Sequence, residues 1–165
     1  KVGAAQGSSD VFPGEVARVS IFKKAMTDAE IATLASGRDA LSETDATCIY
    51  TGKPEMGSAL PIKPGWTSKS ELTVEVWVKP VGHGRILDKI TVGGGDGFLI
   101  DIVGANQIRT IIGPRVEGHS EGQNSVIELN QWVHVALVLN TALKNAVVYI
   151  HGKRAYEMQD LPVSY

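Results

Sequence analysis

The sequence predicts an all-β domain with one short helix, and three observations lead there. Glycine is abundant, 18 of 165 residues, as expected of a chain that turns often between short strands. Apolar residues recur at alternate positions in several short runs, most clearly in Leu72-Thr-Val-Glu-Val-Trp-Val-Lys-Pro80, which is the period of a strand with one buried face. Only one stretch carries helix signals at both ends. Eight to ten short strands with a single helix make a sandwich or a barrel.

Along the chain, residues 15–22 space Val16, Val19 and Ile21 among polar neighbours and predict the first strand. Thr27 with Glu30 three residues later forms the pattern of a capping box, and Met26 and Ile31 stand at the two positions of a hydrophobic staple. Ile31 and Leu34 supply an apolar face and Gly37 a stop, so the helix spans Asp28–Ser36. Residues 38–46 are polar and turn-like, and 47–50 read as a short strand. Three prolines and three glycines make 52–65 a loop with one extended piece at 59–62. In Leu72–Pro80, Val74, Val76 and Val78 share one face while Thr73, Glu75 and Trp77 share the other, and Pro80 ends the run. Residues 85–90 are the next strand, and the glycine-rich 93–97 is a turn. Phe98–Val103 and Gln107–Ile112 then form a hairpin around Gly104-Ala-Asn106. A long polar loop covers 113–125, followed by strands at 126–129, 132–140 and 146–150 and a turn at His151-Gly152.

Composition narrows the function classes. With 16 Lys+Arg against 18 Asp+Glu the formal charge is -2, which removes the basic stripe that nucleic-acid binding needs. Hydrophobic residues at 43% against 21% charged supply a core, while no apolar run approaches the roughly 20 residues of a membrane span. Cys48 is the single cysteine, so neither an internal disulfide nor a cysteine-rich zinc site is expected. The opening Lys1-Val-Gly-Ala lacks the pattern of a secretory leader, which leaves the compartment undecided.

Three segments, Leu72–Pro80, Gln131-Trp-Val-His-Val-Ala-Leu-Val138 and Val148-Tyr-Ile-His-Gly-Lys153, occur in that order. They resemble the three central strands of the concanavalin A-like lectin/glucanase superfamily in its laminin G-like branch. Phe12-Pro-Gly-Glu-Val-Ala-Arg-Val-Ser-Ile-Phe22 with Ala25-Met-Thr-Asp-Ala-Glu-Ile31 resembles that domain's last strand and closing helix. The resemblance implies an antiparallel β-sandwich of jelly-roll type in an extracellular or cell-surface setting. The family closes with the strand-plus-helix element, whereas here it comes first. A circularly permuted domain, one period of a tandem array cut out of phase, or the end of one domain joined to most of the next would each explain this. Each recognisable element occurs once, so the expectation is one domain over 1–165, with the closing strand and helix in 1–37 and the remaining strands in 46–165.

The glucanase branch places acidic residues at alternate positions so that two carboxyl groups flank the sugar bond at about 5 Å. Here Glu75 is followed by Trp77 and Lys79, and Asp101 by Val103, so no such pair stands on one strand and no catalytic residue is expected. Family members that bind calcium use acidic positions on the closing strand and in a Tyr-x-Asp-Gly turn. At those positions this chain has Pro13, Ala17, Arg18 and Tyr149-Ile-His151-Gly152. The cofactor expectation is therefore none, or calcium at Asp96 in the glycine-rich turn. His83, His119, His134 and His151 are widely separated and make no metal motif, and His134 reads as a packed structural histidine. The 93–97 run opens no helix, which excludes a phosphate cradle.

A sugar site needs aromatic platforms and planar polar groups on an exposed face. Aromatics are only 6% of the chain, which makes each tryptophan count. The candidates are Trp66 in a loop, Glu75 and Trp77 on one strand face, and the polar side chains Arg85, Asp101, Arg109, Arg115, His119 and Asn124. The functional expectation is a non-catalytic carbohydrate-binding module, lectin-like, whose partner is a glycan or polysaccharide and whose neighbours are other domains of a longer protein. The alternative is a structural or protein-adhesion repeat without a glycan site, and a glycan hydrolase or lyase ranks third.

Overall fold

The computed structural model describes residues 2–3, 12–37, 48–52, 55, 57, 59, 71–90, 97–113, 116–119 and 126–161, with the backbone alone for 48–52 and 116–119. Among these residues the order is β1 (Gly14–Phe22), α1 (Asp28–Ser36), β2 (Cys48–Gly52), β3 (Leu72–Pro80), β4 (Gly84–Asp88), β5 (Phe98–Val103), a 3-10 turn (Gly104–Asn106), β6 (Gln107–Ile112), β7 (Val116–His119), β8 (Val133–Asn140), β9 (Asn145–Ile150) and β10 (Lys153–Met158). Six strands form one sheet in the order β10-β9-β8-β3-β1-β2, and four form the other, β4-β5-β6-β7. Every pairing is antiparallel. The all-β sandwich is as expected, and β3, β8 and β9, the three strands that carry the resemblance, lie side by side.

The main core fills the space between the sheets. Val19 and Ile21 of β1, Val74, Val76 and Val78 of β3, Val135 and Leu137 of β8 and Val148 of β9 meet Ile86, Ile100, Ile102, Ile108 and Ile112 of the smaller sheet. Alternation is visible in β6, where Ile108, Thr110 and Ile112 are buried and their neighbours are half-buried. It is absent from β8, which is buried on both faces up to Leu139. Its second face, His134, Ala136 and Val138, lies toward α1.

Helix α1 explains this. The capping box forms as expected: Glu30 N donates to Thr27 Oγ1 (3.4 Å) and Thr27 N donates to Glu30 Oε2 (2.9 Å). Ile31 and Leu34 pack with Met26 on Phe22, Ala136, Val138, Val147 and Tyr149, a second apolar cluster outside the six-stranded sheet. A bulge in β1 makes the cover possible. Val16 pairs with Val78 and Arg18 with Trp77, so Ala17 is the extra residue. The bulge returns Val19 and Ile21 to the inter-sheet core and puts Arg18, Ser20 and Phe22 on the α1 side. Gly37 caps the C-terminus as expected, though in extended rather than left-handed backbone (φ -148°, ψ 122°).

Several expected boundaries change. The strand at 126–129 is a single bridge, Gln107 to Val126; Ile127 turns into the core and donates its N–H to Asn106 O (3.1 Å), so the segment crosses the end of the sandwich instead of extending a sheet. Part of the 113–125 loop is β7, which uses the open backbone edge of β6. The strand expected at 85–90 stops at Asp88, whose Oδ1 accepts from Ile90 N (3.0 Å) and closes a turn. Strand β10 was not foreseen: a bulge at Ala155 breaks its alternation, and Ala155, Tyr156 and Met158 all pack on the core. Residues 60–62 of the expected 59–62 piece and most of the 93–97 turn lie outside the described residues.

The β9–β10 turn carries α1 at close range. His151 and Gly152 both have positive φ, 51° and 76°, as a two-residue hairpin turn of this kind requires. A Cβ on Gly152 would stand 2.9 Å from Ala35 Cβ and 3.1 Å from Ala32 Cα. Gly152→Ala is expected to lower the unfolding free energy by about 1–3 kcal/mol, seen as a lower urea midpoint at unchanged m-value. A variant as stable as the parent would show that α1 does not rest on this turn.

Candidate functional site

The face of the four-stranded sheet turned away from the core carries a row of charge. Arg85 on β4, Asp101 on β5 and Arg109 on β6 are cross-strand partners, and the backbone of His119 on β7 continues the row beside Arg109. Opposite charges directly across a ladder attract. Asp101 accepts from Arg109 twice, Nε to Oδ1 at 2.9 Å and Nη2 to Oδ2 at 2.5 Å. Arg85 Nε lies 3.7 Å from the same carboxylate, and Arg85 Nη1 donates to Asp88 Oδ2 at 2.9 Å. The side chains of Asp88 and Asp101 are 3% and 7% exposed, against 19% and 27% for Arg85 and Arg109. The carboxylates therefore lie at the sheet surface and hold two guanidinium groups above them, planar donors in a fixed geometry.

Glu75 and Trp77 do not join this row. They stand on the other sheet, on the face under α1, and the expectation that Glu75 is open to a ligand is overturned. Glu75 has no exposed surface. Arg18 Nε donates to its Oε1 at 2.8 Å and Nη2 to its Oε2 at 3.3 Å. His134, also fully buried as a structural histidine should be, brings Nε2 to 3.2 Å from Oε2. Arg18 also donates from Nη1 to Gly37 O (3.1 Å) and from Nη2 to Leu34 O (3.4 Å), so it closes the last turn of α1 while pairing with β3. Burial alone would raise the Glu75 carboxyl, but His134 and Arg18 outweigh it and hold it below the usual glutamate range. Trp77 is half-buried, its ring centroid 5.5 Å from that of His134 at an angle of 57°.

Trp66, Asp96, Arg115 and Asn124 lie outside the described residues, as does the side chain of His119. Among the described residues no three His, Cys, Asp or Glu side chains come together to hold a metal. The sequence reading missed Arg18 as a partner of Glu75, although an arginine two positions from Ser20 on a bulged strand was its signal. It also missed a second polar group, Asp28 with Tyr149 and Arg154, whose members are up to 126 residues apart.

A family model described as the concanavalin A-like lectin/glucanases superfamily, Laminin_G_3, matches residues 56–163. The match covers β3 to β10 and leaves β1, α1 and β2 outside it. No curated protein and no solved structure matches the chain.

Glu75→Gln removes the charge of one half of a buried ion pair, an expected loss of about 3–5 kcal/mol in urea unfolding near neutral pH. The parent's Glu75 has a lowered value in the folded state, so its contribution is present above the ordinary 4.5 and is lost as pH falls through 4.5 and below. The gap between parent and variant should therefore narrow on acidification, and a gap independent of pH would contradict the pairing.

Proposed function

The chain belongs to the concanavalin A-like lectin/glucanase superfamily, and from that premise we propose that it is a non-catalytic carbohydrate-binding module. The observation that supports this best is the Arg85–Asp101–Arg109 row. Sugar hydroxyls are recognised by planar groups that donate and accept in fixed directions, and this row presents two guanidinium groups anchored by carboxylates across three adjacent strands. Catalysis is disfavoured on the same ground: Asp88, Asp101 and Glu75 are each engaged by arginine, so none is positioned as a proton donor beside a free nucleophile. The setting we propose is extracellular or cell-surface, as is common in the family. No helix among the described residues is long and apolar enough to cross a membrane. We also take β1 and α1 to close the same domain that the family match covers in part, a reading supported by the place of β1 between β3 and β2. Calcium binding at Asp96 remains part of the proposal only as an alternative to a metal-free site.

Binding of the parent protein to a glycan array tests the reading. Arg85→Ala and Arg109→Ala, each shown by circular dichroism to be folded at the assay temperature, should weaken the bound glycan about tenfold or more, since a charge-assisted hydrogen bond contributes about 1.5–3 kcal/mol. A parent that binds no glycan, or binding indifferent to both substitutions, would sink it.

A further inference from the structure

Helix α1 does not cover its sheet face along the whole length. Beyond its N-terminus, between residues 25–28 and the β8–β9 turn, lies a cleft of about 360 Å³. Its floor is the cross-strand pair Val138 and Val147, with Met26 beside them. One wall is Asp28 with Tyr149 and Arg154; the other is Asn140 with Asn145, and Leu143 stands at the rim, 68% exposed.

The polar groups of the cleft are arranged rather than loose. Tyr149 OH donates to Asp28 Oδ1 at 2.7 Å, and Arg154 Nε lies 3.0 Å from both oxygens of that carboxylate. Arg154 and Tyr149 hold the Asp28 carboxyl below the usual aspartate range, so it is an ionised, oriented acceptor whose side chain is still 59% exposed. Asn140 uses its Oδ1 to accept from Leu143 N (3.0 Å), which leaves its Nδ2 donors as what it offers a ligand.

These details select the ligand class. Arg154 is shared between Asp28 and Glu157, and the N–H groups of Thr27 and Glu30 at the start of α1 are taken by the capping box, so no unbalanced positive charge recruits an anion here. What remains is a short apolar floor between a fixed carboxylate and an amide donor. That combination fits a molecule with one apolar face and a rim of hydroxyls that both donate and accept. We propose that the cleft binds one uncharged pyranose residue, as a second sugar site on the side of the sandwich opposite the Arg85–Asp101–Arg109 row. The proposal extends the carbohydrate-binding reading, and the two stand or fall separately because the sites share no residue. A module with both would bridge two glycan strands, one on each face.

Amide chemical shifts of the isotope-labelled protein, titrated in turn with the methyl glycosides of glucose, galactose and mannose, test it directly. At least one glycoside should give saturable shifts at Thr27, Asp28, Asn140 and Leu143. Asp28→Asn and Asn140→Ala, each shown by its spectrum to be folded, should weaken that binding about tenfold or more, whereas Arg109→Ala should leave it unchanged. No shifts at these amides with any of the three sugars, or shifts that survive both substitutions, overturn the second site. Shifts confined to β4, β5 and β6 also overturn it while leaving the first site standing, and cleft shifts without array binding lost in Arg85→Ala and Arg109→Ala would do the reverse.

Discussion

Glu75 carries a negative charge into the space between the six-stranded sheet and α1, and Arg18 brings the opposite charge from the neighbouring strand. The pair is fully enclosed, so its two members depend on each other: a lone buried ion of either sign is strongly disfavoured. Arg18 does more than neutralise Glu75. The same guanidinium takes the carbonyls of Leu34 and Gly37, which have no partner inside the helix. One side chain thus joins β1, β3 and the end of α1. Gly37 can stay extended because this arginine, and not a left-handed closing residue, satisfies the last turn.

The two outer faces of the sandwich differ as a result. On the six-stranded sheet, α1 buries Phe22, Ala136 and Tyr149, and the polar residues among them, Ser20, Glu75 and His134, become interior groups. On the four-stranded sheet the corresponding outward positions on β4 and β6 hold arginines whose heads still reach solvent, with Asp101 of β5 between them. Charged side chains on one fold therefore serve opposite ends: enclosed, they anchor a helix, and at the surface, they form a recognition row. The cleft beside Asp28 belongs to neither case, since it lies where the helix cover ends and the sheet face reopens.

Legibility followed range. The capping box of Thr27 and Glu30 spans three residues and was readable, as were the alternation of Val74, Val76 and Val78 and the hairpin at Gly104–Asn106. Strand β10 was not, because the bulge at Ala155 breaks the alternation of a run half of whose residues are charged. In β1, the three-residue step from Val16 to Val19 is the mark of the bulge, and only the register against β3 shows what it does. In the sequence Arg85, Asp101 and Arg109 stand apart as separate polar candidates. That they form a single row depends on strand pairing, which no one of them encodes.

By itself the sequence determined the all-β sandwich, its single capped helix and its resemblance to the superfamily, because periodicity, capping and turn residues act over a few positions and write themselves into short runs. Only the tertiary structure decided which face was open. Glu75 and Trp77 have the pattern of exposed residues opposite a buried valine face, yet a helix from far earlier in the chain lies over that face, and the partner of Glu75 is 57 residues away. Whether a polar strand residue meets water or an ion-pair partner is fixed by what packs over it, and packing joins residues that the sequence keeps apart.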